Sequence, residues 1–159
     1  MKAVAIDLDG ALGDTRPLWR EFLADAARRY ASIAPLDPDA LSTDRGEAAA
    51  MLDEWAAHGI GDWRGALARF AEERAPVFLR PNAEANGALR SLAAAGYRIG
   101  VVTDAPKELA EVVLAHLGLA RYVELLEAVS EKTVVVKSRE ELMRLAGANP
   151  TTRRSSTRR

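Results

Sequence analysis

At 159 residues the chain has room for one domain, or for one core with a modest insertion, and enough length to bury a substantial hydrophobic core. The absence of cysteine excludes a disulfide framework and a thiolate zinc site; no apolar run is long enough to cross a bilayer, and the start lacks a signal-peptide pattern. The net charge of −1 conceals four arginines in the closing "TTRRSSTRR", so the rest of the chain is mildly acidic and offers no basic face suited to nucleic acid. These features predict a cytoplasmic protein with no nucleic-acid or membrane partner, acting as a monomer or homodimer, with residues 151–159 as a disordered basic tail.

"KAVAIDL" reads as a short strand, apolar enough to be buried on both faces. The period then changes. Leu18, Phe22, Ala26 and Tyr30 fall four apart with Trp19 and Leu23 alongside, which predicts an amphipathic helix from Pro17 to Tyr30, with Thr15 as its cap. The Pro- and Asp-rich "APLDPDALSTD" is a loop, and a second helix follows with Met51, Leu52 and Trp55 on its apolar stripe. After "HGIGD", Asp62 caps a third helix bearing Trp63, Ala66, Leu67 and Phe70. These stripes read as the core of a small helical subdomain inserted after the first strand.

From Asn82 the pattern alternates. Asn82 caps a helix through Ala95, Gly96 ends it, and "YRIGVVT" is the next strand. A helix with Leu109, Val112, Val113 and Leu117 follows, ended by Gly118; "TVVVK" is a third strand, and Ser138 with Glu141 forms a capping box that starts a last helix. Strand and helix in alternation argue a parallel sheet with covering helices on both faces. "LARYVELLEAVSE" is open between a helix and a strand. As a strand it stands only a few residues before "TVVVK", too few for a usual parallel crossover.

Asp7 and Asp9 stand two apart at the end of the first strand, and Gly10 permits a sharp turn after them. Carboxylates at the carboxyl tip of a buried strand are where open α/β sheets keep their chemistry, one acid to attack or bind a metal and the other to move protons. The stretch "DLDGALGDT" closely resembles the nucleophile motif of haloacid dehalogenase-like (HAD) phosphatases, and "GYRIGVVTDAP" resembles their second motif, a strand ending in Ser or Thr. The layout, with a helical insertion between these motifs, is similar to that of the phosphoglycolate phosphatase-like branch, and the resemblance covers most of residues 1–118. It implies a HAD-like, Rossmannoid core of residues 1–14 and 81–150 with an α-helical cap of residues 15–80. It further implies a Mg²⁺-dependent phosphatase of a small phosphorylated metabolite. Asp7 would be the nucleophile and a metal ligand. Asp9 would be the acid–base group, its carbonyl also on the metal. Thr103 would hydrogen-bond the phosphoryl oxygens, with backbone N–H groups at Gly10 and Asp104 assisting.

Two departures accompany the resemblance. Ala11 stands where the motif usually has threonine, and the family's last acidic motif is replaced by "VVVKSREEL", with Lys137 and Ser138 where acids are expected. The phosphoryl-binding lysine is Lys132 by chain order, or Lys137 if a crossover segment is missing and that residue lies at a strand tip beside Asp7. Glu140 and Glu141 lie just beyond, with a structural role in the capping box. The missing acids keep a second reading open: a weak or inactive member that retains phosphate binding or a protein-interaction role. The cap residues do not identify the substrate.

Overall fold

The computed structural model describes residues 2–30 and 40–148, so most of the Pro-rich loop and the basic tail lie outside the described residues. The elements follow in the order β1 (Lys2–Asp7), α1 (Arg16–Tyr30), α2 (Arg45–Ala57), α3 (Trp63–Phe78), α4 (Ala83–Ala94), β2 (Tyr97–Val102), α5 (Lys107–His116), β3 (Val123–Leu125), β4 (Val134–Val136) and α6 (Arg139–Gly147). They divide into two compact units: Met1–Asp14, Leu79–Thr103 and Leu114–Arg159 form one, and Thr15–Phe78 with Asp104–Val113 form the other.

The first unit is α/β. Its four strands are all parallel, in the order β3-β2-β1-β4, so β1 is flanked on both sides. The unbroken apolar run of β1 reflects that position: Val4, Ala5 and Ile6 are buried to within 1%. Fully burying a side chain such as Val or Ile is worth roughly 1.5–3 kcal/mol, so this strand anchors the sheet. Beside it, α4 buries Ala85, Ala88, Leu89 and Leu92. Asn82 Oδ1 accepts the Ala85 N–H at 3.0 Å to start that helix, and Gly96, at φ +87°, ends it.

The ambiguous segment resolves as a strand. β3 pairs in parallel with β2, and the Leu126 N–H extends the ladder to the Val101 carbonyl at 2.9 Å. Residues 126–133 then connect β3 to β4, at opposite edges of the sheet, with no helix between them. Eight extended residues reach about 26 Å, whereas three inter-strand steps need only about 15 Å. The connection passes over the sheet face, where Leu126, Ala128, Ser130 and Thr133 line a hollow of about 260 Å³ with Ala3, Val4 and Gly100. Gly100 makes room for it, because a Cβ there would overlap the Leu126 side chain.

The second unit is helical. α1 and α3 pack through aromatic side chains: Trp19 meets Trp63 edge-on at 6.3 Å between ring centroids, and Phe22 meets Phe70 at 5.7 Å. Leu52 is buried on α2, but Met51 is 41% exposed, so Met51 is not part of the apolar stripe expected of it. Thr15 is fully buried, and its hydroxyl accepts a hydrogen bond from Arg45 Nη1 at 2.6 Å. Asp53 receives Arg64 through Nη2 at 2.7 Å and Trp63 Nε1 at 2.9 Å, while Arg64 Nη1 reaches Glu108 at 3.1 Å. Among the described residues no helix is long and apolar enough to cross a membrane.

Candidate active site

The site is built where β1, β2 and β4 end. Asp7 is the last residue of β1 and stands level with Val102, so Thr103 emerges one step beyond it on the neighbouring strand. On the other side Ile6 is level with Val136, which brings Lys137 alongside Asp7 as the chain leaves β4. Parallel neighbours lie about 4.8 Å apart, so three chemistry-bearing residues meet at one tip because three strands share a register.

After Asp7 the chain makes a tight loop rather than continuing the strand. Leu8 is fully buried between two half-buried aspartates, which turns both acids away from the core. The Gly13 N–H donates to the Leu8 carbonyl and the Gly10 N–H to the Gly13 carbonyl, each at 3.1 Å, closing the loop on itself. Gly10 has φ +101°, and a Cβ on it would stand 3.0 Å from the Lys137 carbonyl oxygen. Glycine is therefore required here twice, by conformation and by the close approach of the strand that carries Lys137. The loop's outer carbonyls are held as well: Arg139 Nε donates to Ala11 O at 2.6 Å and Nη2 to Leu12 O at 3.3 Å.

The two candidate lysines part company. Lys132 precedes the amino end of β4, which pairs level with Val4, whereas Asp7 and Thr103 lie at the carboxyl ends. The structure thus brings Lys137 to the β1 tip and leaves Lys132, the residue chain order favours, at the other end of the sheet. The reason is the short β3–β4 connection, which delivers β4 directly beside β1 without a crossover helix. Lys137 is exposed, and its backbone N–H donates to Glu141 Oε2 at 3.2 Å. Glu141 also donates its own N–H to Ser138 Oγ at 3.1 Å, and Glu140 pairs with Arg144 at 3.0 Å. Both acids are thereby engaged on α6. Asp104, in the helical unit, accepts from Arg45 Nε at 3.1 Å and Nη2 at 2.6 Å through one carboxylate oxygen.

Magnesium ions want near-octahedral oxygen coordination and leave several waters in place, bound through one or two carboxylates. Among the described residues no group of three or more acids or histidines is arranged to hold a metal ion. Asp7 and Asp9 are the two acids at this tip, and the chain position beside Asp7 holds a lysine. Two carboxylates with waters are a donor set such an ion can use, so Asp7 and Asp9 are the residues that would hold it.

Neither histidine joins the site. His116 Nε2 lies 2.8 Å from the Leu79 carbonyl, and His58 Nδ1 lies 2.8 Å from the Glu54 carbonyl.

Arg45 and Arg139 are the residues that sequence reasoning missed. Each occupies the first turn of a helix directly after its capping residue, Asp44 or Ser138, where a cation opposes the helix dipole. A positive charge in that place signals a partner elsewhere in the fold.

Residues 1–147 match the haloacid dehalogenase-like hydrolase family. The chain is 38% identical over 135 residues to a phosphoglycolate phosphatase of Rhodospirillum rubrum, an alignment covering 75% of this chain and 54% of that protein. It thus spans about half the length of this curated relative. A crystal structure of a HAD phosphatase from Thermococcus onnurineus is similar with a TM-score of 0.47 at 22% identity, covering 88% of this chain and 63% of that one. With the family matched over nearly its whole length, the chain belongs to the haloacid dehalogenase-like hydrolases.

Proposed function

We propose that the chain is a phosphohydrolase of a small phosphate monoester, with Asp7 as nucleophile. The observation that carries this reading is the shared register of three strand ends, which sets Asp7 between Thr103 and Lys137. A phosphoryl group needs an in-line nucleophile, a proton donor for the leaving oxygen and positive charge beside its own oxygens. In the first step an Asp7 carboxylate oxygen forms a bond to phosphorus while the bond to the leaving oxygen breaks. Asp9 gives that oxygen its proton, and the product alcohol leaves. In the second step Asp9 takes a proton from water, whose oxygen attacks the aspartyl-phosphate and restores Asp7 as phosphate departs. Thr103 and the Lys137 ammonium are the groups assigned to the phosphoryl oxygens. The assignment of the helical unit as a substrate-selecting cap belongs to the same proposal.

Phosphate release from a generic phosphomonoester, by wild type and by Asp7→Asn, tests the reading. The expected result is turnover in the wild type and loss of at least about a thousandfold in the variant, the scale of removing a nucleophile. Equal rates in the two proteins contradict it. A second reading, a member that binds phosphate with little or no turnover, is favoured by one observation: among the described residues no group of three acids is arranged to hold a metal ion. A folded wild type that binds phosphate and releases none from the ester selects that reading.

A further inference from the structure

The Asp7–Gly13 segment is held differently along its length. Asp7 ends β1, whose backbone pairs with β2 on one side and β4 on the other. Asp9 lies past the strand, in a turn where Gly10 takes φ +101° and the Gly13 N–H closes on the Leu8 carbonyl at 3.1 Å. The far side of that turn is gripped by Arg139, whose Nε donates to the Ala11 carbonyl at 2.6 Å and Nη2 to the Leu12 carbonyl at 3.3 Å. Ala11 and Leu12 are buried to within 2%, so their carbonyls have little water to turn to and depend on such a donor. Arg139 in turn opens α6, which packs against α4 and buries Leu142 and Ala146. The guanidinium thus ties the loop that carries Asp9 to a helix anchored in the core.

We infer that Arg139 is a positioning residue for proton transfer: by clamping the Leu8–Gly13 loop it sets where Asp9 stands relative to Asp7. The inference rests on the phosphatase reading above and deepens it. Arg139 acts through the backbone of Ala11 and Leu12 and makes no bond to the substrate. Loosening the loop displaces the acid and leaves the nucleophile on its strand, and a misplacement of about 1 Å can cost about a hundredfold in rate. The first step exposes the difference. As an Asp7 oxygen bonds to phosphorus and the bond to the leaving oxygen breaks, a poorly acidic alcohol must take its proton from Asp9, whereas p-nitrophenolate departs without one. Loss of Arg139 therefore falls on alkyl esters and spares the nitrophenyl ester. A role confined to folding would lower both rates alike.

Single-turnover release of the alcohol from p-nitrophenyl phosphate and from an alkyl phosphomonoester, with the full chain in excess and Mg²⁺ present, tests this. Wild type, Arg139→Gln and Arg139→Lys are compared, and urea midpoints measured alongside confine the comparison to folded protein. The alkyl-to-nitrophenyl rate ratio should fall by at least about tenfold in Arg139→Gln, the worth of a charge-assisted contact. Arg139→Lys keeps the charge without the planar fork and should lie between the two. Exchange of the Gly13 amide hydrogen should quicken by about tenfold in Arg139→Gln as the loop opens more often. An unchanged ratio, whether or not both rates fall, assigns Arg139 to stability alone and overturns the inference while leaving the phosphatase reading standing. Unchanged Gly13 exchange overturns the clamp itself. No turnover of either ester by folded wild type overturns the phosphatase reading and the inference with it.

Discussion

The guanidinium of Arg45, only 4% exposed, donates from both Nε and Nη2 to a single carboxylate oxygen of Asp104, 59 residues further along the chain. A further hydrogen bond, from Nη1 to the Thr15 hydroxyl at 2.6 Å, ties the same side chain to the segment that opens α1. One arginine thus binds together the two points at which the chain enters the helical unit, after Asp14 and after Thr103.

Removing the acid should therefore cost more than an exposed ion pair would suggest. Asp104→Ala takes two charge-assisted hydrogen bonds from a buried guanidinium, a loss of about 1–3 kcal/mol. The expected result is a lowered denaturant midpoint with an unchanged slope. Arg45→Met, which removes the charge and keeps much of the volume, should cost less than Asp104→Ala if desolvation dominates. The comparison of the two midpoints reads which effect wins.

Two glycines predict opposite signs. Gly10 has φ +101° and the Lys137 carbonyl at 3.0 Å from the position of a Cβ, so Gly10→Ala should destabilise by about 1–3 kcal/mol. Gly87, inside α4, has nothing within 4 Å of that position, and Gly87→Ala should stabilise by about 0.5–1 kcal/mol through helix propensity. Equilibrium denaturation of the two variants beside wild type checks both. A stabilising Gly10→Ala would contradict the loop geometry described here.

Acid should weaken the helical unit through Asp53. The Arg64 hydrogen bond, helped by Trp63 and by the Arg64 charge, holds the Asp53 carboxyl below its usual range against the opposing effect of burial. A group whose folded pKa is depressed contributes stability above its unfolded pKa, and that contribution disappears as the pH falls through the folded value. Asp53→Asn should accordingly lower the melting temperature at neutral pH, and the gap from wild type should close as the pH falls through and below the ordinary carboxylate range. A gap that persists unchanged into acid would assign the loss to packing around Trp63 instead.

Much of this was legible in the chain because local signals agreed. The apolar run of β1 with acids at its end, the Asn82, Asp62 and Ser138 caps, and the glycines after α4 and α5 all stand where the pattern puts them. β3 was not, because three residues carry too little alternation to tell a strand from a helix turn, and its partner is distant in sequence. The choice between Lys132 and Lys137 depended on the same point, since only the sheet order decides which end of β4 meets Asp7. Met51 failed for a different reason: a helical stripe shows which residues share a face, not how far the neighbouring helix reaches along it. Arg45 and Arg139 left a trace, a cation placed against the helix dipole, that is readable only as a local inconsistency.

The central claim is that Asp7 receives the phosphoryl group. Acid-quenching the chain during turnover of a phosphomonoester, then mapping the trapped phosphoryl group by peptide mass spectrometry, tests it most directly. The account predicts a hydroxylamine-labile acyl phosphate on the peptide containing Asp7, absent from Asp7→Asn. Turnover that proceeds at full rate with the label on another residue, or with an unaltered Asp7→Asn rate, would contradict it.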